Sequence, residues 1–331
     1  MDTSLIFVIV IVVIASLYNF YNGANDCANS IATTVSTRVL SIWQAVFLAG
    51  VLNFAGAFLT TEVAKTIGKG IIPEEHLTEI VIIAAILGAV AWAAIATHMG
   101  APVSITHCMV GGLMGAGLAA YGFGGVNWEG LKKIGIGMVT SPIGGFIVGV
   151  ILIVIIYHLF KKWRPQKANF LFGKLQVVSA SFMALTHGTN DSQNAMGIIT
   201  AALFAAGYIT DFEVPFWVIL ISAFFMGIGT LIGGKSVIKT VGMKMTDIKP
   251  VQGFAAETSA SFVILIASFL GIPISTTHTI STSVMGVGAS RRLSAVRWTV
   301  VKQIIWAWII TIPFAALVAA LCYYGINYFI A

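Results

Sequence analysis

The chain has 331 residues, of which 58% are hydrophobic and 9% charged, with a mean hydropathy of +0.96 and a formal net charge of +6. So little polar surface cannot cover a water-soluble globule of this size, which excludes a cytosolic enzyme, a secreted scaffold and a disordered chain. What remains is an integral membrane protein, and with 34 Gly residues and no single-residue apolar alternation it reads as helical rather than as an outer-membrane barrel.

The stretch MDTSLIFVIVIVVIASL has no basic residue before its apolar run and reads as a retained first span, not a cleaved leader. Apolar segments then fall at about 4–22, 41–61, 78–99, 103–120, 134–160, 175–186, 195–210, 215–233, 254–289 and 303–325. At about 20 residues per span the length holds roughly ten crossings. Several segments are too short, or too rich in Gly, Ser and Thr, to be simple spans. The run KKWRPQKANFLFGK, Lys161 to Lys174, carries five basic residues and no acid. It divides the chain into a first transmembrane repeat (1–160), a basic cytoplasmic linker (161–174) and a second repeat (175–331). Basic residues here are topology signals, and no nucleic-acid partner is expected. Cys27, Cys108 and Cys322 show no CxxC spacing and read as small packing residues.

The halves share two motifs. GANDCANSIATT (Gly23 to Thr34) aligns with GTNDSQNAMGII (Gly188 to Ile199) at an offset of 165, and GAPVSITHCMVGGLMGAG (Gly100 to Gly117) with GIPISTTHTISTSVMGVG (Gly271 to Gly288) at 171. Placing the linker inside puts fourteen basic residues in the cytoplasm, among them Arg38, Lys235, Lys239, Lys244, Lys249, Arg291, Arg292, Arg297 and Lys302. Only Lys65, Lys69, Lys132 and Lys133 remain outside. Five spans per half then make the repeats inverted, with both termini extracellular. The expected fold is an all-α polytopic membrane protein built as an inverted-topology repeat of two five-span halves with broken, re-entrant helices.

Each half has one Asp in an apolar setting. Asp26 and Asp191 are preceded by Asn25 and Asn190 and followed three positions on by Asn29 and Asn194. A carboxylate at membrane depth costs roughly 2.5 to 3.5 kcal/mol on insertion scales, so it calls for a partner. Asp and Asn at i and i+3 place hard oxygens on one helical face, which suits Na+; the same run also suits a hydrogen-bonded cap at a helix break. In the second motif, Pro102 and Pro273 precede Ser104, Thr106, Ser275, Thr276 and Thr277. Hydroxyls and unpaired N–H groups at two facing helix starts would hold an oxyanion; alternatively the hydroxyls are interhelical glue. Gln193 and His187 border the second Asn-Asp, where the first half has Ala28 and Asn22. Glu257, opposite Ile86 in the alignment, is a third cation ligand, a gating carboxylate, or a side chain reaching water. His107 and His278 read as structural, and Trp128, Trp163, Trp217, Trp298, Tyr323, Tyr324 and Tyr328 as interfacial anchors.

With GANDCANS, GTNDSQNA, PVSITH and PISTTH in place, the sequence resembles the inorganic phosphate transporter (PiT) family of sodium/phosphate symporters over nearly its whole length. The resemblance implies a cation-coupled phosphate importer with two re-entrant regions. It places phosphate contacts at Asn25, Ser104, Thr106, Asn190, Gln193, Ser275 and Thr276, and Na+ contacts at Asp26, Asn29, Asp191, Asn194 and Glu257. Ile105 departs from the family's second hydroxyl, and the long central cytoplasmic domain of some eukaryotic members is absent.

The expected function is therefore Na+-coupled import of inorganic phosphate by alternating access, in the plasma membrane. No cofactor is expected beyond Na+ as coupling ion, and no enzymatic activity. A proton-coupled phosphate or sulfate permease of the same fold is the nearest rival. An intramembrane metalloenzyme is more remote, since no HExxH or GxSxG motif occurs, and a passive anion channel would not respond to a cation gradient.

Overall fold

The structure, a computed structural model, describes residues 3–98, 103–242, 248–290 and 298–330. Among these the chain forms eleven α-helices and no strand: α1 (Thr3–Ser36), α2 (Ile42–Gly56), α3 (Glu62–Lys69), α4 (Glu79–His98), α5 (Ile105–Tyr121), α6 (Trp128–Leu159), α7 (Pro165–Ala205), α8 (Phe216–Gly242), α9 (Pro250–Phe269), α10 (Thr276–Ala289) and α11 (Trp298–Ile330). Seven are long and apolar enough, in whole or in part, to cross a bilayer: α1, α5, α6, α7, α8, α9 and α11. Ile42–Gly56 and Glu79–Ile95 are apolar but shorter. The molecule is a multi-pass membrane protein.

The helix boundaries differ from the apolar segments in two informative ways. Segment 175–186 and the part of segment 195–210 up to Ala205 belong to one 41-residue helix, α7, which begins at Pro165 inside the stretch expected as linker. Proline at the first helical position forfeits no hydrogen bond, so only the few residues before Pro165 stay irregular. Both Asn-Asp motifs lie inside continuous helices, α1 and α7, and neither is a cap at a helix break. Segment 254–289 instead divides. Gly271 adopts a φ of 65°, Pro273 holds the chain extended, and Ser275 caps α10. Pro102, Lys244, Arg291, Arg292 and Arg297 lie outside the described residues.

The repetition extends beyond the sequence motifs. Helices α4 and α9 both have 20 residues and begin 171 positions apart, and so do Pro142 inside α6 and Pro313 inside α11. The halves interlace: α1 packs on α8 and α7 on α2, while α5 packs on α11 and α10 on α6. The glycine opening each Asn-Asp motif makes the first of these contacts possible. A Cβ on Gly23 would stand 2.2 Å from the Met226 carbonyl oxygen of α8, and one on Gly188 2.2 Å from the Asn53 carbonyl oxygen of α2. Asn22 reaches the backbone of Asp191 while Thr37 reaches Gln176, so α1 and α7 run antiparallel.

Candidate functional site

Helices α1 and α7 cross where their motifs coincide. Asp26, His187 and Asp191 are buried there, with one ligand atom of each within 4.8 Å of the others. Two carboxylates that close repel by about 3 kcal/mol even at an effective dielectric of ~20, so the site favours an arriving cation.

Around them the starts of α5 and α10 converge, with the His107 and His278 ring centroids 5.2 Å apart. Ser104 and Ser275 are the N-caps of these helices, their oxygens accepting from the backbone N–H of His107 and His278 at 3.4 and 3.3 Å. The threonines point to the motif residues. Thr276 Oγ1 donates to Asp191 Oδ2 (3.3 Å) and Thr277 Oγ1 to Asp26 Oδ1 (3.4 Å). Asn29 Nδ2 donates to Thr277 Oγ1 and Asn194 Nδ2 to Thr106 Oγ1. Asn190 Nδ2 donates to Asp191 Oδ1 (2.8 Å) and to the Ile274 carbonyl (3.2 Å). Of the residues named from sequence, Asp26, Asn29, Thr106, Asn190, Asp191, Asn194, Ser275 and Thr276 therefore share one hydrogen-bonded neighbourhood. Ser104 caps the α5 helix whose Thr106 joins it, and Asn25 precedes Asp26 on α1 and is half-buried.

Several buried acceptors here lack a donor among the described residues. Asn194 Oδ1, one turn from Asp191, has none, nor does Asn22 Oδ1, one turn before Asp26. His187 is a third case. Thr230 Oγ1 donates to the Met226 carbonyl and so accepts from Asn53 Nδ2 at 2.8 Å. That turns Asn53 Oδ1 toward His187 Nδ1, 3.1 Å away, which must carry the proton. Nε2 is then left facing Asp191 Oδ2 at 3.4 Å. Two carboxylates and the two donorless amide oxygens, with one histidine beside them, make an oxygen-rich cluster whose chemistry matches a hard cation.

Two sequence-predicted residues lie elsewhere. Gln193 faces α3: its Oε1 accepts from Ala64 N (3.0 Å) and its Nε2 donates to the Thr189 carbonyl (2.6 Å). Thr61, the N-cap of α3, makes no side-chain cap bond, so an amide from α7 satisfies one of the unpaired N–H groups of that helix start. Glu257 forms a separate buried cluster. Thr34 Oγ1 (2.6 Å), Gln176 Nε2 (3.1 Å) and Thr33 Oγ1 donate to its Oε1, and Ser179 Oγ donates to its Oε2. Sequence reasoning missed Asn53, Thr230, Gln176 and Ser179 as partners. The available signals were a lone Asn in the apolar run of α2 and the i, i+3 spacing of Gln176 and Ser179 on α7.

The profile of the phosphate transporter family matches residues 22–319. A protein of Rhizobium meliloti (strain 1021) named "Probable low-affinity inorganic phosphate transporter" is 46% identical over 329 residues, covering 98% of each chain. One of the same name in Bacillus subtilis (strain 168) is 44% identical over 330 residues, covering 99% of each. A solved structure titled "The sodium-dependent phosphate transporter" superposes with a TM-score of 0.91 at 28% identity, covering 97% of this chain and 99% of that one. The chain belongs to the phosphate transporter family, whose work is phosphate transport across a membrane and not catalysis.

Proposed function

We propose that the protein imports inorganic phosphate across the plasma membrane together with Na+, by alternating access between two inverted repeats whose termini are both external. The observation that carries the coupling is the pair of buried carboxylates, Asp26 and Asp191, whose charge exceeds the single histidine beside them, with the amide oxygens of Asn22 and Asn194 next to them still without a donor. Phosphate brings one or two further negative charges, and the repulsion is removed only if cations enter with it. Antiparallel α1 and α7, and the reciprocal packing of the halves, support the inverted arrangement.

Na+ binds first at Asp26 and Asp191, with the amide oxygens of Asn29 and Asn194 in reach. Once the carboxylates are neutralised, the hydroxyls of Thr276 and Thr277 turn from them toward the helix starts. There Thr106, Ser104 and Ser275, with the N–H groups of α5 and α10 and Asn190 beside them, receive the oxyanion. Rocking of the halves then delivers the loaded site to the other side. A protonated phosphate also donates to carboxylate or amide oxygens, which sulfate cannot do.

The test is uptake of labelled phosphate into liposomes under an inward Na+ gradient, an inward H+ gradient, or neither, with excess sulfate present. Accumulation driven by Na+ and indifferent to sulfate is expected, and Asp191→Asn abolishes it. Undiminished Na+-driven uptake by that variant would sink the assignment; H+-driven uptake or block by sulfate would move the function to the related permease.

A further inference from the structure

The Glu257 cluster has a counterpart on the opposite side of the repeat. The offset of 165 between the first motifs carries Thr33 to Ile198, Thr34 to Ile199, Gln176 to Ile11 and Ser179 to Ile14; the offset of 171 carries Glu257 to Ile86. Every polar member thus corresponds to an isoleucine. Ile11, Ile86, Ile198 and Ile199 are fully buried in one continuous apolar core, and Ile14 packs against it. The two sets lie on either side of the aspartates. Thr33 is seven residues beyond Asp26 on α1, about 10 Å of helix, and Ile14 twelve before it, about 18 Å. Gln176 stands two residues from the end of the basic segment, so the polar set is at that end.

We propose that the pathway is closed at its two ends by barriers of opposite chemistry: the hydrogen-bonded Glu257 cluster at the end of the basic segment, and a dry isoleucine barrier, Ile11, Ile14, Ile86, Ile198 and Ile199, at the other. This rests on the alternating-access reading. A hydrogen-bonded carboxylate exchanges its donors for water one at a time, so the polar end wets readily and passes ions without separating apolar surfaces. Isoleucines facing one another exclude water until they part as a group, so that end opens all or none and resists leak. Residues whose sequence neighbourhood carries no polar signal therefore set the rate of opening on one side.

The experiment uses single cysteines in a chain with Cys27, Cys108 and Cys322 replaced by Ala, reconstituted in liposomes and probed with a membrane-impermeant maleimide from each face. Lys167→Cys, on the exposed start of α7, reports which face carries the basic segment. Thr34→Cys is expected to label from that face, at least about tenfold faster than Ile198→Cys, which labels only from the opposite face. Adding Ile86→Thr and Ile199→Thr raises Ile198→Cys labelling about tenfold or more, the size of change that one to two kilocalories confer (about 1.4 kcal/mol per factor of ten). Equal rates at the two positions, labelling of both from one face, or no response to the added threonines would each overturn the proposal. If replacing the cysteines unfolds the chain, the same substitutions are made in the native chain and its own labelling, from buried Cys27 and Cys108 and partly exposed Cys322, is subtracted. Phosphate uptake by the same vesicles separates the two readings: loss of cation-driven uptake in the parent chain counts against alternating access, whereas the labelling pattern decides the barriers.

Discussion

Asn29 Nδ2 donates to Thr277 Oγ1 over 2.8 Å, joining residues 248 positions apart. The pair has a twin, because Asn194 donates to Thr106 over 3.1 Å and the two contacts are related by the same offsets that relate the sequence motifs. The duplicated asparagine of one motif thus holds the duplicated threonine of the other, and each bond crosses from one half of the chain to the other. Conserving this contact on both sides fixes the helix starts of α5 and α10 to the helices that carry the aspartates.

Asn29→Ala or Asn194→Ala is accordingly expected to raise the Na+ concentration for half-maximal uptake about tenfold, roughly the 1.4 kcal/mol of one modest polar contact. Combining Asn29→Ala with Thr277→Val adds little to Thr277→Val alone, because that variant already lacks the Asn29 contact along with the hydroxyl's bond to Asp26. Na+ titrations of phosphate uptake in liposomes read the cycle; fully additive effects would separate the two residues.

Asn53→Leu removes the acceptor that fixes the His187 ring and leaves a buried N–H without a partner, at a cost of about 1 to 3 kcal/mol. The variant is expected to melt earlier in detergent and to need more Na+. A shift in melting with an unchanged Na+ titration would assign Asn53 to stability alone.

A methyl group at Gly23 or Gly188 meets a backbone oxygen and forces α1 from α8 or α7 from α2, for about 1 to 3 kcal/mol of overpacking. Gly23→Ala and Gly188→Ala should lower the melting temperature, whereas Gly135→Ala, where a Cβ meets nothing within 4 Å, should not. Thermal unfolding followed by intrinsic fluorescence compares the three.

Glu257→Leu leaves the hydroxyls of Thr33, Thr34 and Ser179 and the amide of Gln176 facing an apolar side chain, and each stranded donor costs on the order of 1 kcal/mol or more. Glu257→Gln keeps the size and an acceptor oxygen, and so should fold with near-native stability while slowing transport. Equal melting temperatures for the two variants would show that these donors find other partners.

Much of this was legible in the sequence, and the reasons for what was not are physical. The repeated motifs survive as strings because several polar residues cluster within a few positions of each other, which an apolar background makes visible. The continuity of α1 and α7 through those motifs was not legible, because Asn, Asp and Gly weaken a helix locally unless tertiary partners satisfy them, and the partners come from distant segments. Gln193 sits inside the motif, next to Asn194, yet turns to α3, since successive helical positions point about 100° apart. Asn53 and Thr230 were invisible as a pair because 177 positions separate them.

The interlaced packing of α5 on α11 bears on how the molecule is made. Gly111 and Gly115 of α5 lie against the backbone of Ile312 and Ala316, near the end of the chain. During synthesis the first half cannot bury that surface, because its mate has not yet left the ribosome. Residues 1–160 are therefore not a unit of assembly. A nascent chain stopped short of Trp298 leaves the glycine face of α5 without its partner, and α11 is the helix that locks the first half.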